Sequence, residues 1–337
     1  MIILAGDIGG THSRLALADS TGLTNKAKHN HLTLTHITQL VNSEFSQPSD
    51  LLRHYFDLIK LKPDIACLAI AAPVPNRDGN NEQTVRLTNL PWVFSNTRLK
   101  HDFGLNDVYL INDFAGLPYI TRSLTSLIAH DDIRVIQSAN AKTSTPVEFI
   151  FGAGTGLGCA ISTGGRSLTV LGSEAGHSDI SGASQQLRQI IQYLEQNSIR
   201  PCWENVLSGN GLERLFAYLS NIQPDSPHTK TARQITRQAP LIPTGMEFQT
   251  LELFLNLAGI FSQNMALNCL PDNIYLVGNI FRLVFDIVPV EKFLKGFHST
   301  TQHNALLNNI PITLILDTQV GLKGAVAFAL DKLDLNN

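Results

Sequence analysis

The stretch GDIGGTHSRLALAD, Gly6 to Asp19, limits the fold of this chain more than any other. The apolar run Ile2-Ile3-Leu4 before it reads as a buried strand, and Leu15-Ala16-Leu17-Ala18 after it reads as a second. The glycines are therefore expected in the turn of a hairpin. A dinucleotide fingerprint needs a helix opening directly after its glycines. A P-loop needs a Lys and then Ser or Thr after its last glycine, and this stretch has neither. Residues Gly6, Asp7, Ile8, Gly9, Gly10 and Thr11 make the first candidate anion-binding loop. A glycine pair leaves main-chain N–H groups able to form an anion-binding concavity. Asp7 places a carboxylate beside it, suited through a water to a Mg²⁺ carried by the anion. Thr11 adds a hydroxyl. The same residues also read as a plain hairpin with an Asx turn, and locally both readings stand.

A second copy favours the first reading. Val147 to Phe151 leads into GAGTGLG, Gly152 to Gly158, and then Cys159-Ala160-Ile161-Ser162. This is again strand, glycine-rich turn carrying a Thr, and strand. Two such hairpins suggest a duplicated unit whose loops, with Gly154, Thr155 and Gly156 in the second, face one phosphate chain.

At 337 residues, the chain is long enough for about two domains. Hydrophobic residues are 43% and charged residues 16%, a globular balance. A net charge of −3 without a basic block disfavours nucleic acid and acidic membrane surfaces. No signal peptide and no membrane span is expected. Cys67, Cys159, Cys202 and Cys269 are far apart, which argues against structural zinc and for reduced thiols in the cytoplasm. His29 and His31 read as a solvated strand face.

The order of elements predicts a layered α/β architecture. Strands are expected at Leu32–Leu34, Ile65–Ala72, Thr84–Leu87, Val108–Ile111, Arg134–Gln137, Ser167–Leu171, Asn273–Val277 and Ile312–Leu316. Helices are expected from Thr35 through Val41, over Leu51–Lys60, after an N-cap at Ser95, over Ala183–Gln196, from near Leu212, over Phe248–Leu270 and over Val320–Leu333. Asn76–Gln83 reads as a surface loop, and Gly278-Asn279 as the turn after a strand. The strand Val108–Ile111 delivers Asn112 and Asp113 at its carboxyl end, where α/β sheets collect ligands. From spacing alone Asp113 also reads as a cap on the following helix.

DIGGT before a strand, then IND, GAGTGLG, SEAGH, ENVLSG and a late Val-Gly occur in that order along nearly the whole chain. The set resembles bacterial glucokinases of the branch without a zinc motif, in the actin-like ATPase and sugar kinase superfamily. The resemblance implies a two-domain actin-like ATPase (ribonuclease H-like) α/β fold, with duplicated glycine-hairpin units and an interdomain cleft. The domains are expected at 1–111 with a returning C-terminal helix 320–337, and at 112–319. It further implies ATP and Mg²⁺ as cofactors, glucose as substrate, a homodimer, and Gly278 in a turn against the adenosine.

Phosphoryl transfer to a sugar is largely positioning plus charge stabilisation. Asp113 is the candidate general base for the primary hydroxyl, and Asn112 can orient a sugar hydroxyl. Glu174 and His177 sit three apart with small residues between them. A carboxylate accepts two vicinal hydroxyls and imidazole adds a contact. Glu204 is a third candidate sugar contact. Alone, each of these three also reads as an ordinary surface side chain. Ser173 and Ala175 stand where the family has glycines and are expected to narrow the sugar loop. Asn279 replaces a family glycine. The rivals to a glucokinase are a kinase for another hexose, a non-catalytic sugar-binding regulator, and an actin-like ATPase acting on a partner protein.

Overall fold

The computed structural model describes residues 1–20, 32–75, 77, 81–87, 90–121, 132–139, 146–164, 168–300 and 302–335. His29 and His31, and much of the expected loop 76–83, lie outside them. The chain forms two compact units, Met1–His130 with Asp317–Asn337, and Asp131–Leu316.

The first unit is built on a five-stranded sheet. Strands β1 (Ile2–Ile8), β2 (His12–Asp19) and β3 (Leu34–Val41) form an antiparallel meander. Next to β1 come β4 (Ile65–Ile70) and then β7 (Asp107–Asn112), both parallel to it. The order is β3-β2-β1-β4-β7, while β5 (Thr84–Arg86) and β6 (Val93–Ser95) make a separate ribbon. β4 is buried along its whole length, as a central parallel strand must be. One face packs Leu4, Leu15, Leu17 and Leu68 with Leu51, Leu52 and Tyr55 of helix Pro48–Ile59. The other packs Ile3, Ala5, Ala16 and Cys67 with Leu322, Ala325, Val326 and Ala329 of helix Val320–Leu335. Ser95 caps helix Asn96–Phe103 by accepting from Arg98 N at 3.2 Å.

The second unit repeats the pattern. Strands β9 (Val147–Ala153), β10 (Leu157–Thr163) and β11 (Thr169–Ser173) form the meander. Then β12 (Asn273–Val277) and β13 (Ile312–Ile315) follow in parallel, and β8 (Ile133–Gln137) closes the edge antiparallel to β13. Five strands thus run in the same order and directions in both units. The core lies between this sheet and helix Met246–Cys269, where Phe149 and Phe151 meet Phe261 edge-on.

Several readings differ from the structure. The segment Thr35–Val41, read as a helix, is most of β3. Pairing with β2 overrides the local pattern, and His36 at φ 52° takes up a bulge where the register shifts between Leu15 and Leu17. The helix expected from Leu212 begins at Gly209, because Ser208 Oγ accepts from Gly211 N at 3.0 Å. Helix Ala232–Gln238, absent from the sequence reading, is set by a capping box between Thr231 and Gln234. The units change at 130/131 rather than at 111/112. Helix Leu117–Thr121 stays with the first unit because Gly116 lies against Gly324 of the C-terminal helix. A Cβ on Gly116 would come within 2.8 Å of the Gly324 carbonyl carbon.

One half-buried contact makes stability depend on pH. Gln137 Nε2 donates to the carbonyls of Leu307 and Ile310, each at 2.8 Å. Its Oε1 therefore faces His298 Nε2 at 2.7 Å, which assigns the proton of a neutral imidazole to Nε2. Burial lowers the His298 pKa. The unfolded chain binds this proton near pH 6.5, whereas the folded chain resists it, so stability is expected to fall as pH drops below about 6.5. Urea unfolding of wild type and His298→Gln on both sides of that pH checks this. The midpoint should drop less in the variant.

Candidate active site

The first hairpin pairs Ile2↔Asp19 through Ile8↔Ser13, which leaves Gly9, Gly10, Thr11 and His12 as the turn, closed by Gly9 N donating to His12 O at 3.0 Å. Gly6 lies inside β1 instead, where Leu68 and Leu15 occupy the space of a side chain. Ile8 is buried, and its carbonyl accepts from Ala71 N at 2.9 Å. These two residues serve the loop through the backbone alone. The turn is fastened from a distance. Asn42 Nδ2 donates to Gly9 O at 2.8 Å, Asn42 N donates to Thr11 O at 2.9 Å, and buried Ser13 Oγ donates to Asn42 Oδ1 at 2.7 Å.

The same register puts Arg14 opposite Asp7. The Arg14 Nε and Nη2 both donate to Asp7 Oδ2, the first at 3.1 Å, while Nη1 donates to Thr318 O at 2.8 Å. Arg14 was not singled out from sequence, yet aligning the hairpin around a four-residue turn would have found it. One oxygen of Asp7 is thus engaged by a cation of the chain itself, and the other has no partner among the described hydrogen bonds.

At the end of β7, Asp113 N donates to Ile70 O at 3.0 Å. Asn112 braces this corner, with Nδ2 donating to Ala72 O at 3.2 Å and Oδ1 accepting from Phe114 N at 3.0 Å. Among the described hydrogen bonds one Asn112 amide hydrogen has no acceptor.

In the second unit, β9 and β10 meet at Gly154, Thr155 and Gly156. Gly154 N donates to Gly156 O, and Gly209 N, at the start of helix Gly209–Leu219, donates to Gly154 O, each at 2.9 Å. Thr155 is exposed. Gly278 packs against the same hairpin. It adopts φ 101°, and a Cβ there would lie 2.8 Å from Ala153 O, so only glycine fits. Asn279 is not the turn residue the sequence suggested. It opens helix Asn279–Ile287, and its Oδ1 accepts from Arg282 Nη2 at 2.7 Å.

The three candidate sugar contacts converge here. His177 Nδ1 lies 3.2 Å from Glu174 Oε2, and His177 Nε2 lies 3.6 Å from Glu204 Oε1. Residues from distant parts of the chain meet because Ile180 N donates to Pro201 O at 2.8 Å and Trp203 N donates to Ser178 O at 3.1 Å. Gly176 sits beneath them, buried and pressed onto β10. A Cβ there would fall 2.3 Å from Leu157 O. The Cys159 thiol is buried under the same loop. Burial pushes its pKa up, the Gly176 backbone opposes this, and the Glu174 and Glu204 carboxylates add to it, so no thiolate forms beside the cluster. Among the described residues no group of three or more His, Cys, Asp or Glu side chains could hold a metal ion by itself.

The profile of the glucokinase family matches residues 4–332. The chain belongs to the glucokinase family. The glucokinase of Saccharophagus degradans is 33% identical over 335 residues, covering 98% of each chain. A crystal structure of a glucokinase from an Antarctic psychrotroph superposes with a TM-score of 0.78 at 25% identity, over 98% of this chain and 99% of that one. A ROK family glucokinase from Streptomyces griseus, solved with glucose and AMPPNP, gives a TM-score of 0.65 at 16% identity over 98% of this chain and 100% of that one. The fold is that of the actin-like ATPases and sugar kinases.

The departures from the glucokinase pattern are absorbed locally. Ala175 packs its methyl against the apolar core, and Ser173 Oγ accepts from Ala175 N at 3.3 Å. The expected narrowing of the sugar loop is therefore not carried by Ala175, whose side chain points inward.

Proposed function

We propose that this chain phosphorylates glucose with ATP, giving glucose 6-phosphate and ADP. The observation that carries the reading is the convergence of Glu174, His177 and Glu204 beside a glycine turn. Two carboxylates and an imidazole offer acceptors in the density that a neutral polyhydroxy ring needs, without a basic pocket. Membership of the glucokinase family supports it.

In this reading Asp113 accepts the proton of the primary hydroxyl as the oxygen attacks the γ-phosphorus. The new P–O bond forms as the bond from the γ-phosphorus to the bridging oxygen breaks, and that oxygen leaves with ADP. Asn112 keeps the Asp113 corner fixed, and its remaining amide hydrogen orients a sugar hydroxyl. Gly10 and Thr11 of the first turn, and Thr155 and Gly156 of the second, present main-chain N–H groups and hydroxyls to the phosphates, while Gly9 and Gly154 spend theirs closing the turns on His12 O and Gly156 O. Gly278 shapes the nucleoside side of the second turn. Mg²⁺ suits this arrangement, since it binds with waters, phosphates and one or two carboxylates. Asp7 would hold it through a water on the oxygen that Arg14 leaves, and when bound the ion would offset phosphate charge. A cytoplasmic setting fits four cysteines that are all free.

ADP release measured with glucose, mannose, fructose and glucosamine tests the assignment. Turnover is expected to depend on sugar and to be fastest with glucose. An equal low ATPase rate with every sugar would remove the kinase reading.

A further inference from the structure

One side chain faces both things this reaction must hold. Glu204 Oε2 accepts the Leu157 N–H, at the exit of the second glycine turn, at 2.9 Å. A Cβ on Gly156 would lie 2.5 Å from that same oxygen. The other oxygen, Oε1, lies 3.6 Å from His177 Nε2, within the sugar cluster. From Glu204 the chain runs through Ser208, whose Oγ donates to Glu204 O at 2.8 Å, to Gly209, whose N–H donates to Gly154 O at 2.9 Å. The segment Glu204–Gly209 therefore grips the glycine turn at both ends, and one of those grips also faces the sugar.

We propose that Glu204 is a positioning residue that couples the two substrates, so that glucose tightens the binding of nucleotide. This rests on the sugar and phosphate sites assigned above. The Glu204 side chain is 31% exposed, so water competes with Leu157 N for its carboxylate. A sugar hydroxyl donating to Oε1 fixes its torsions and keeps Oε2 on Leu157 N. The ordering of the turn is then complete before the phosphates arrive, and the second ligand meets a smaller entropic cost. Linkage makes the effect reciprocal: nucleotide tightens glucose by the same factor. Glu174 supplies the contrast. It also faces His177, at 3.2 Å, but it is 67% exposed and contacts no residue of the glycine turn among the described hydrogen bonds.

The test is calorimetry of AMPPNP with Mg²⁺, with and without saturating glucose, on the full chain. In wild type glucose should lower the AMPPNP Kd by roughly 10-fold, within the usual span of coupling between sites. Glu174→Gln should need more glucose to saturate yet retain the full factor. Glu204→Gln keeps a single acceptor oxygen, which serves either Leu157 or the sugar, so the factor should fall to about 1. Gly156→Ala keeps the charge but displaces the carboxylate from Leu157 and should also abolish the factor. It decides the matter should Glu204→Gln fail to fold. A wild-type factor of about 1, or an unchanged factor in Gly156→Ala or in folded Glu204→Gln, overturns the proposal. Failure of the underlying reading looks different: wild type would show no glucose heat at all, and the coupling would fall with it.

Discussion

Asp113→Asn is expected to lower kcat for glucose phosphorylation by roughly 100-fold to 10,000-fold, the range set by removing a positioned general base. The corner that carries Asp113 is held from both sides, by its own N–H on Ile70 O and by the two bonds of Asn112. Asparagine keeps the shape of the side chain, so the backbone should not move. The amide cannot take the hydroxyl proton, and the alcohol must attack without a base. The KM for glucose should change far less, because Glu174, His177 and Glu204 are untouched. Initial rates of ADP release across glucose concentrations separate the two parameters. A variant with wild-type kcat would remove Asp113 from the chemistry.

Gly176→Ala is expected to reduce kcat/KM for glucose by about 100-fold, the cost of misplacing binding groups by about 1 Å. A methyl on Gly176 would meet Leu157 O at 2.3 Å and Leu157 Cβ at 3.1 Å. The first of these is backbone inside a paired strand and cannot swing away. The loop must lift from β10, taking Glu174 and His177 with it. Gly172→Ala is the matched control, since a Cβ there meets nothing within 4 Å, and its kinetics should stay near wild type. Thermal unfolding followed by circular dichroism distinguishes a lifted loop from an unfolded unit. Equal kinetics in both alanine variants would show that the loop tolerates displacement.

The parts of the fold legible from sequence were those encoded locally. A glycine turn between two apolar runs specifies a hairpin, and both hairpins are present at Gly9–His12 and Gly154–Gly156. An unbroken apolar run such as Ile65–Ile70 specifies a central strand, and Ser95 specifies a helix start. What sequence hid depends on pairing across distance. The residues of β3 carry apolar side chains at helical spacing, and only β2 beside them makes them a strand. Asn42 has no local pattern that marks it as the fastener of the first turn, because its partners Gly9, Thr11 and Ser13 lie far back in the chain. Glu204 read alone as a solvated helix residue. Its partner is the backbone of Leu157, which no side-chain motif records. The family motifs named the candidate residues, but the two-sided contact of Glu204 needed the folded chain.

Glucose binding followed by calorimetry in wild type and His177→Ala tests the central claim most directly, since the imidazole lies between both carboxylates. The account predicts saturable binding in wild type, weakened about 10-fold or more in the variant, as expected when a ligand loses a hydrogen bond to a polar or charged group. Saturable binding with the same Kd in folded His177→Ala, or no glucose heat in wild type, would contradict it.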